Sequence, residues 1–168
     1  AKYNTEGLST SDFRRKQVDL FIKDLKDNLD QFNKKNNKFV QLGISPTGVY
    51  KNASSSSEAN TPLSKYVYNE NGDLIYPAGA TIGCQMHYES YLYCDTLKWV
   101  NNEWINYILP QTYWSTSHSR APFEKLINWW NMAVKNKKVN LYAGMGIYMW
   151  KDTAGEAVKQ LNITSGLE

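Results

Sequence analysis

Gln111, Tyr113, Trp114 and His118 bring an amide, a phenol, an indole and an imidazole together in one short run. Flat aromatic faces stack on apolar ring surfaces, and amides and imidazoles exchange hydrogen bonds with hydroxyl groups. A pyranose sugar offers both, so the group has the makings of a carbohydrate site. Packing within a loop would use Tyr113 and Trp114 equally well. His118, whose ordinary pKa is about 6.5, is also chemically able to act as a general acid or base, the weaker of its two readings.

What precedes the run positions it. Ile105, Tyr107 and Leu109 alternate with Asn106, Ile108 and Pro110, a pattern that predicts a short strand buried inside an α/β sheet. Pro110 has no N–H to give a ladder and ends the pairing. Parallel α/β architectures bind ligands just past the carboxyl ends of their strands. Two further stretches have this form. Residues 38–44, with Phe39, Val40, Leu42 and Ile44, predict a strand that runs into the turn-rich Ser45-Pro46-Thr47-Gly48. Residues 139–147 predict a third, ending in Gly144-Met145-Gly146-Ile147-Tyr148. A G-x-G after a strand invites a dinucleotide reading, but Met149 stands where the third glycine belongs, and close backbone approach explains the pair better.

Helices alternate with these strands. Ser9, Thr10 and Ser11 offer caps, and Val18, Phe21, Ile22, Leu25, Leu29 and Phe32 form an apolar stripe ending at Asn33-Lys34-Lys35-Asn36-Asn37. Residues 88–100 predict a second helix. Pro122 opens a third, carried by Phe123, Leu126, Ile127, Trp130 and Val134. Thr153 and Glu156 stand at capping-box spacing before a fourth, through Val158 and Leu161. Residues 52–83 read as an insertion: a flexible serine-rich stretch over 52–62, then a hairpin whose arms, Tyr66-Val67-Tyr68 and Leu74-Ile75-Tyr76, flank Asn71-Gly72. The order α-β-insert-α-β-α-β-α predicts parallel strands with right-handed crossovers.

At 168 residues the chain suits one α/β domain, taken as residues 1–166, with 167–168 read as a cloning scar. Aromatic residues reach 14%, more than a core of this size needs, and spare aromatics tend to line clefts. A net charge of +3 without an aromatic-interleaved basic cluster argues against nucleic acid. No apolar run approaches the roughly 18 residues of a membrane span. Two His and two Cys without metal-ligand spacing predict no metal and no cofactor. Cys84 and Cys94 on one helix would lie about 15 Å apart, beyond disulfide reach, and two unpaired thiols are expected, although a bridge opens if Cys84 precedes the helix.

Several motifs in order carry a resemblance. Ser11-Asp12-Phe13-Arg14-Arg15-Lys16-Gln17-Val18, Gly43-Ile44-Ser45-Pro46 with Gly48, Tyr91-Leu92-Tyr93-Cys94-Asp95-Thr96-Leu97-Lys98-Trp99-Val100, Trp104-Ile105-Asn106-Tyr107-Ile108 with Pro110-Gln111 and Tyr113-Trp114, and Trp129-Trp130 together resemble the glycosyl hydrolase-like 10 family. The resemblance covers nearly the whole chain apart from residues 52–83. It implies a (β/α)8 TIM barrel acting on O-glycosidic bonds, with cell-wall or N-acetylhexosamine glycans as the substrate class and the bacterial cell envelope or exterior as the location. A whole barrel takes about 250 residues. The three strands would then be the fifth to seventh of a partial barrel that associates with itself to cover its exposed edges. Thr47 and Tyr50 depart from the bulkier aromatics of the family pattern, and Cys94 replaces a small residue.

On this resemblance Tyr113, Trp114 and Tyr148 are stacking platforms, Ser45, Gln111 and His118 are hydroxyl partners, and Tyr50 is a weaker aromatic candidate. Glycosidases mostly use two carboxyl groups about 5–9 Å apart. Residues 45–50, 111–118 and 144–150 contain no Asp or Glu. Asp152 follows the third segment, while Asp95 and Glu89, on the predicted second helix, suit capping or solvated roles. No catalytic acid is assigned. A non-catalytic glycan-binding or cell-surface structural protein on the same barrel is the alternative. A self-contained doubly wound domain is a third reading, weakened by the lack of a phosphate-binding glycine loop.

Overall fold

The computed structural model describes residues 3–75, 79–89, 91–151 and 153–167. Tyr76, Asp152 and Glu168, each given a part above, lie outside the described residues. Helix α1 (Thr10–Asn36) starts at Ser9, whose hydroxyl accepts the Asp12 N–H, and ends at Asn37 in the left-handed conformation, φ 51°. Its stripe does not pack as a unit. Ile22 is buried and Val18 packs beside it, but Phe21 and Phe32 are 65% and 50% exposed. Arg15 and Asp19 turn inward instead. Asp19 accepts from Trp99 Nε1 at 2.6 Å and Lys98 Nζ at 2.7 Å, and the Arg15 guanidinium lies over the Tyr88 ring at 4.3 Å. A satisfied polar network sets the roll of the helix.

The sheet is parallel, as the alternation of elements predicts, in the order β1 (Gly43–Ile44), β2 (Tyr107–Ile108), β3 (Asn140–Leu141). Gly43 pairs with Tyr107 and Tyr107 with Asn140; single parallel bridges then join Thr47 to Gln111 and Gln111 to Gly144. The strands are shorter than the sequence pattern predicts, and before β1 asparagine side chains stand in for ladder partners. Asn33 brackets Val40, accepting its N–H at 2.9 Å and donating to its carbonyl at 2.8 Å. Asn106 Oδ1 takes the Leu42 N–H. Phe39, expected in the first strand, is 85% exposed.

Ile108, fully buried, points to the side where α3 (Thr96–Asn101) and α4 (Phe123–Val134) form the core with Trp99, Val100, Ile105, Trp130 and Val139. The helix expected over 88–100 is only its last turn and a half. Tyr93 adopts a left-handed φ of 52°, the Cys94 N–H bonds back to the His87 carbonyl, and Asp95 then caps α3 by accepting the Lys98 N–H. Cys84 and Cys94 are free thiols.

The insertion is fastened to the outer layer. Ser55 caps the short α2 (Ser56–Ala59) within the serine run. Tyr68 and Leu74 make an antiparallel bridge around Gly72 (φ 75°), with Asn69 Oδ1 accepting the Asn71 and Asp73 N–H groups. Tyr66 and Leu74 are buried in the core, and the Tyr68 hydroxyl donates to the Met132 carbonyl at 2.7 Å. Lys137 Nζ reaches the Asn71 carbonyl, Asp73 Oδ1 and the Asn101 carbonyl. Helix α5 (Ala154–Ser165) follows a 3-10 turn, Ile147–Trp150. No described helix is long and apolar enough to cross a membrane.

Candidate functional site

The carboxyl ends of the three strands meet at Gln111. Its Nε2 donates to the Ser45 carbonyl at 3.2 Å and to Ser45 Oγ at 3.3 Å, while the Ser45 hydroxyl donates to the Leu109 carbonyl at 2.9 Å. Ser45 is exposed and Gln111 half-buried. The amide is thus oriented by its N–H side. Small residues make this approach feasible. A Cβ on Gly48 would lie 2.7 Å from the Gln111 carbonyl oxygen and 2.9 Å from Trp114 Cζ3.

The glycines after β3 serve the same purpose. A Cβ on Gly144 would come within 2.6 Å of the Pro110 carbonyl oxygen, and one on Gly146 within 3.2 Å of Tyr113. Tyr113 therefore sits against the β3 loop and meets Tyr148 edge-to-face, with centroids 6.2 Å apart and planes at 86°. Tyr148 is 72% exposed. Its ring is open to solvent in the loop after β3, against Tyr113 of the loop after β2.

Trp114 and His118 form a second pair, tilted at 52° with centroids 6.2 Å apart. His118 Nδ1 accepts the Ala121 N–H at 3.0 Å, which assigns the ring proton to Nε2. The imidazole then offers a donor to a ligand hydroxyl. The loop bearing this pair is held from α5. Thr153 makes no side-chain cap, contrary to the capping-box expectation; Glu156 reaches instead to Thr116, accepting its N–H at 2.6 Å and its hydroxyl at 3.0 Å. Gln160 Nε2 bonds both Glu156 Oε1 and the Trp114 carbonyl. Burial pushes the Glu156 carboxyl upward, but hydrogen bonds from Thr116 and Gln160 outweigh it and lower its pKa.

Tyr50 stands apart from these residues. It is 5% exposed, stacks on Trp129 with centroids 5.4 Å apart, and donates its hydroxyl to Asp95 Oδ1 at 2.9 Å. Burial first, then the Asp95 charge, drives the phenol pKa upward, and burial raises that of Asp95. His87 completes this buried layer: fully enclosed, it joins Thr47 Oγ1 at 3.2 Å to Thr96 Oγ1 at 2.7 Å and stacks on Trp130. Burial lowers its pKa to about 4. The buried layer that holds Tyr50 and His87 is therefore neutral on its histidine near pH 7.

Sequence reasoning did not find His87, Glu156 or Gln160 in these roles. Glu156 and Gln160 are four apart and share one helix face, a spacing common on any helix. No local pattern names Thr116 as the partner. Asp95 does cap a helix. Among the described residues no three His, Cys, Asp or Glu side chains converge on a metal position.

Residues 2–158 match the family model described as glycosyl hydrolase-like 10. Glycosyl hydrolase YngK of Bacillus subtilis (strain 168) is 30% identical over 176 residues, covering 99% of this chain and 30% of that protein. Glycosyl hydrolase DigH of Escherichia coli O6:H1 is 29% identical over 178 residues, covering 99% and 35% respectively. DigH of Escherichia coli K12 is 30% identical over 147 residues, covering 88% and 28%. The chain spans about a third of the length of the curated relatives it matches.

Proposed function

This chain belongs to the glycosyl hydrolase-like 10 family, and from that premise we propose that it forms one wall of the substrate cleft of a glycoside hydrolase acting on O-glycosidic bonds. The three parallel strands and their helices serve as strands five to seven of a (β/α)8 barrel, whose sites open at the carboxyl ends of the strands. The substrate class is a cell-wall or other N-acetylhexosamine glycan, met in the bacterial cell envelope or outside the cell. The observation that carries the reading is the Gln111 amide, fixed across two strand ends by Ser45, together with the Tyr113–Tyr148 ring pair that follows β2 and β3. Such a pairing of oriented amide and bare aromatic face suits a sugar's hydroxyl edge and apolar face.

The catalytic carboxyl pair comes from parts of the barrel other than these strands. Glu156 is engaged by Thr116 and Gln160, and Asp95 by Tyr50 and the α3 N-terminus. In this chain the expected roles are stacking by Tyr113, Trp114 and Tyr148 and hydrogen bonding by Ser45, Gln111 and His118. Tyr50 supports Trp129 from below.

The test is a titration of the chain with soluble chitooligosaccharides, repeated with Trp114→Ala. Saturable binding that weakens at least about tenfold in the variant supports the cleft, since a large aromatic anchor removed from a binding surface costs about 1 kcal/mol or more. Saturable binding unchanged by Trp114→Ala, or no saturable binding to these oligosaccharides, overturns it. Binding by a full-length protein that hydrolyses none of these glycans would favour the non-catalytic carbohydrate-binding reading.

A further inference from the structure

The loop that carries Trp114 and His118 leaves β2 and returns to α4, where the Phe123 N–H meets the Ser115 carbonyl, yet the side-chain hydrogen bonds to Trp114 and Thr116 come from neither element. They come from consecutive turns of α5. Glu156 accepts the main-chain N–H and the hydroxyl of Thr116, and Gln160, one turn on, donates to the Trp114 carbonyl and to Glu156 Oε1. Ser115, between the two anchored residues, accepts from the His118 and Phe123 N–H groups and so passes the constraint to the imidazole and to the start of α4. Gln160 is fully buried, and its Oε1 has no hydrogen-bond partner among the described residues. A buried amide oxygen left unpaired is costly, so the orientation of this side chain is dictated by its two N–H contacts.

We infer that Glu156 and Gln160 are positioning residues for the ligand loop: they hold Trp114 and His118 in the conformation that meets the sugar without touching it themselves. The inference rests on the cleft reading above for the word ligand, and on the α5 contacts alone for the holding. Because the clamp acts through hydrogen-bond geometry, a neutral amide of the same shape serves in place of the carboxylate. Removing the side chain frees the loop.

Hydrogen exchange followed at the amides of 114–118, with thermal unfolding as a control for the whole fold, decides the holding. Glu156→Ala is expected to speed exchange of the Thr116 amide about tenfold, the scale of a lost hydrogen bond or two, with the amides of Ile108 and Tyr142 unchanged. Glu156→Gln is expected to restore protection. Should Glu156→Ala fail to fold, Thr116→Val, which removes only the hydroxyl arm, is read in the same way with a smaller increase. Unchanged exchange at Thr116 in these variants, or loosening spread evenly through the sheet, overturns the inference.

Titration with chitooligosaccharide is the second arm. Weaker binding in Glu156→Ala and recovery in Glu156→Gln support positioning; loosened exchange with unaltered affinity overturns it. If the unaltered chain binds no glycan, the cleft reading falls while the exchange arm still decides whether α5 holds the loop.

Discussion

The ring of Tyr107 lies across Gly43 of the neighbouring strand, so closely that a Cβ at position 43 would stand 1.9 Å from Tyr107 Cζ. The two residues are register partners, and Tyr107 also meets Tyr142 edge-to-face at 5.7 Å. Gly43→Ala forces the ring aside and is expected to destabilise the chain by about 2 kcal/mol, typical of overpacking. Tyr107→Ala in the same chain should remove most of that penalty. Urea unfolding of the two single variants and the double variant checks it; simple additivity would refute the contact.

Stability should fall in mild acid because of His87. Its imidazole titrates near 6.5 when unfolded and about 4 when folded. Between those values only the unfolded chain takes up the proton, so stability present above pH 6.5 is lost as pH drops toward 4, by about 3 kcal/mol in all. The raised Asp95 carboxyl contributes in the opposite sense at the lower end of this range, since its folded form holds a proton more readily. Comparing His87→Gln with the unaltered chain isolates the imidazole. A variant with the same pH slope as the unaltered chain would contradict the assignment.

At Gly48 the backbone itself is the obstacle. An added methyl group would press on the Gln111 carbonyl oxygen at 2.7 Å as well as on the Trp114 ring. Gly48→Ala is therefore expected to shift the Trp114 fluorescence and weaken chitooligosaccharide binding more than it lowers the melting temperature. Equal glycan affinity in the variant would show that this contact does not shape the loop.

The exposed phenylalanines of α1 predict association. Phe21, Leu25 and Phe32 follow the helix at 65%, 40% and 50% exposure, continuous with the side that buries Ile22. An isolated chain with this apolar row is expected to form dimers or larger species at high concentration. Phe21→Ser with Phe32→Ser should return it to one chain. Light scattering that gives a single-chain mass for the unaltered protein at all concentrations would count against the expectation.

Order and direction of the elements were legible in the sequence: period-two runs alternate with helical ones, and strands in that arrangement pair in parallel. The length of the first strand was not, because Asn33 and Asn106 satisfy backbone groups of Val40 and Leu42 that a ladder would otherwise take. Nor was the face of α1, where Asp19 turns inward to meet Trp99, eighty residues away in sequence. Ser45, Gln111, Tyr113 and Tyr148 could be picked out because each follows a strand. Tyr50 follows one too, but Asp95 draws its hydroxyl into the core. The anchoring of Thr116 by Glu156 lay beyond reach, since local spacing made Glu156 a capping residue and only the folded crossing of α5 shows otherwise.

Order of synthesis gives the α5 contacts another meaning. The loop residues emerge from the ribosome some 40 positions before the glutamate that secures them. Until α5 has been made and docked, the loop after β2 has its aromatic residues but lacks the side-chain anchors at Trp114 and Thr116. The nascent sheet can close its register early, whereas the Trp114–His118 loop waits for a helix made after all three strands.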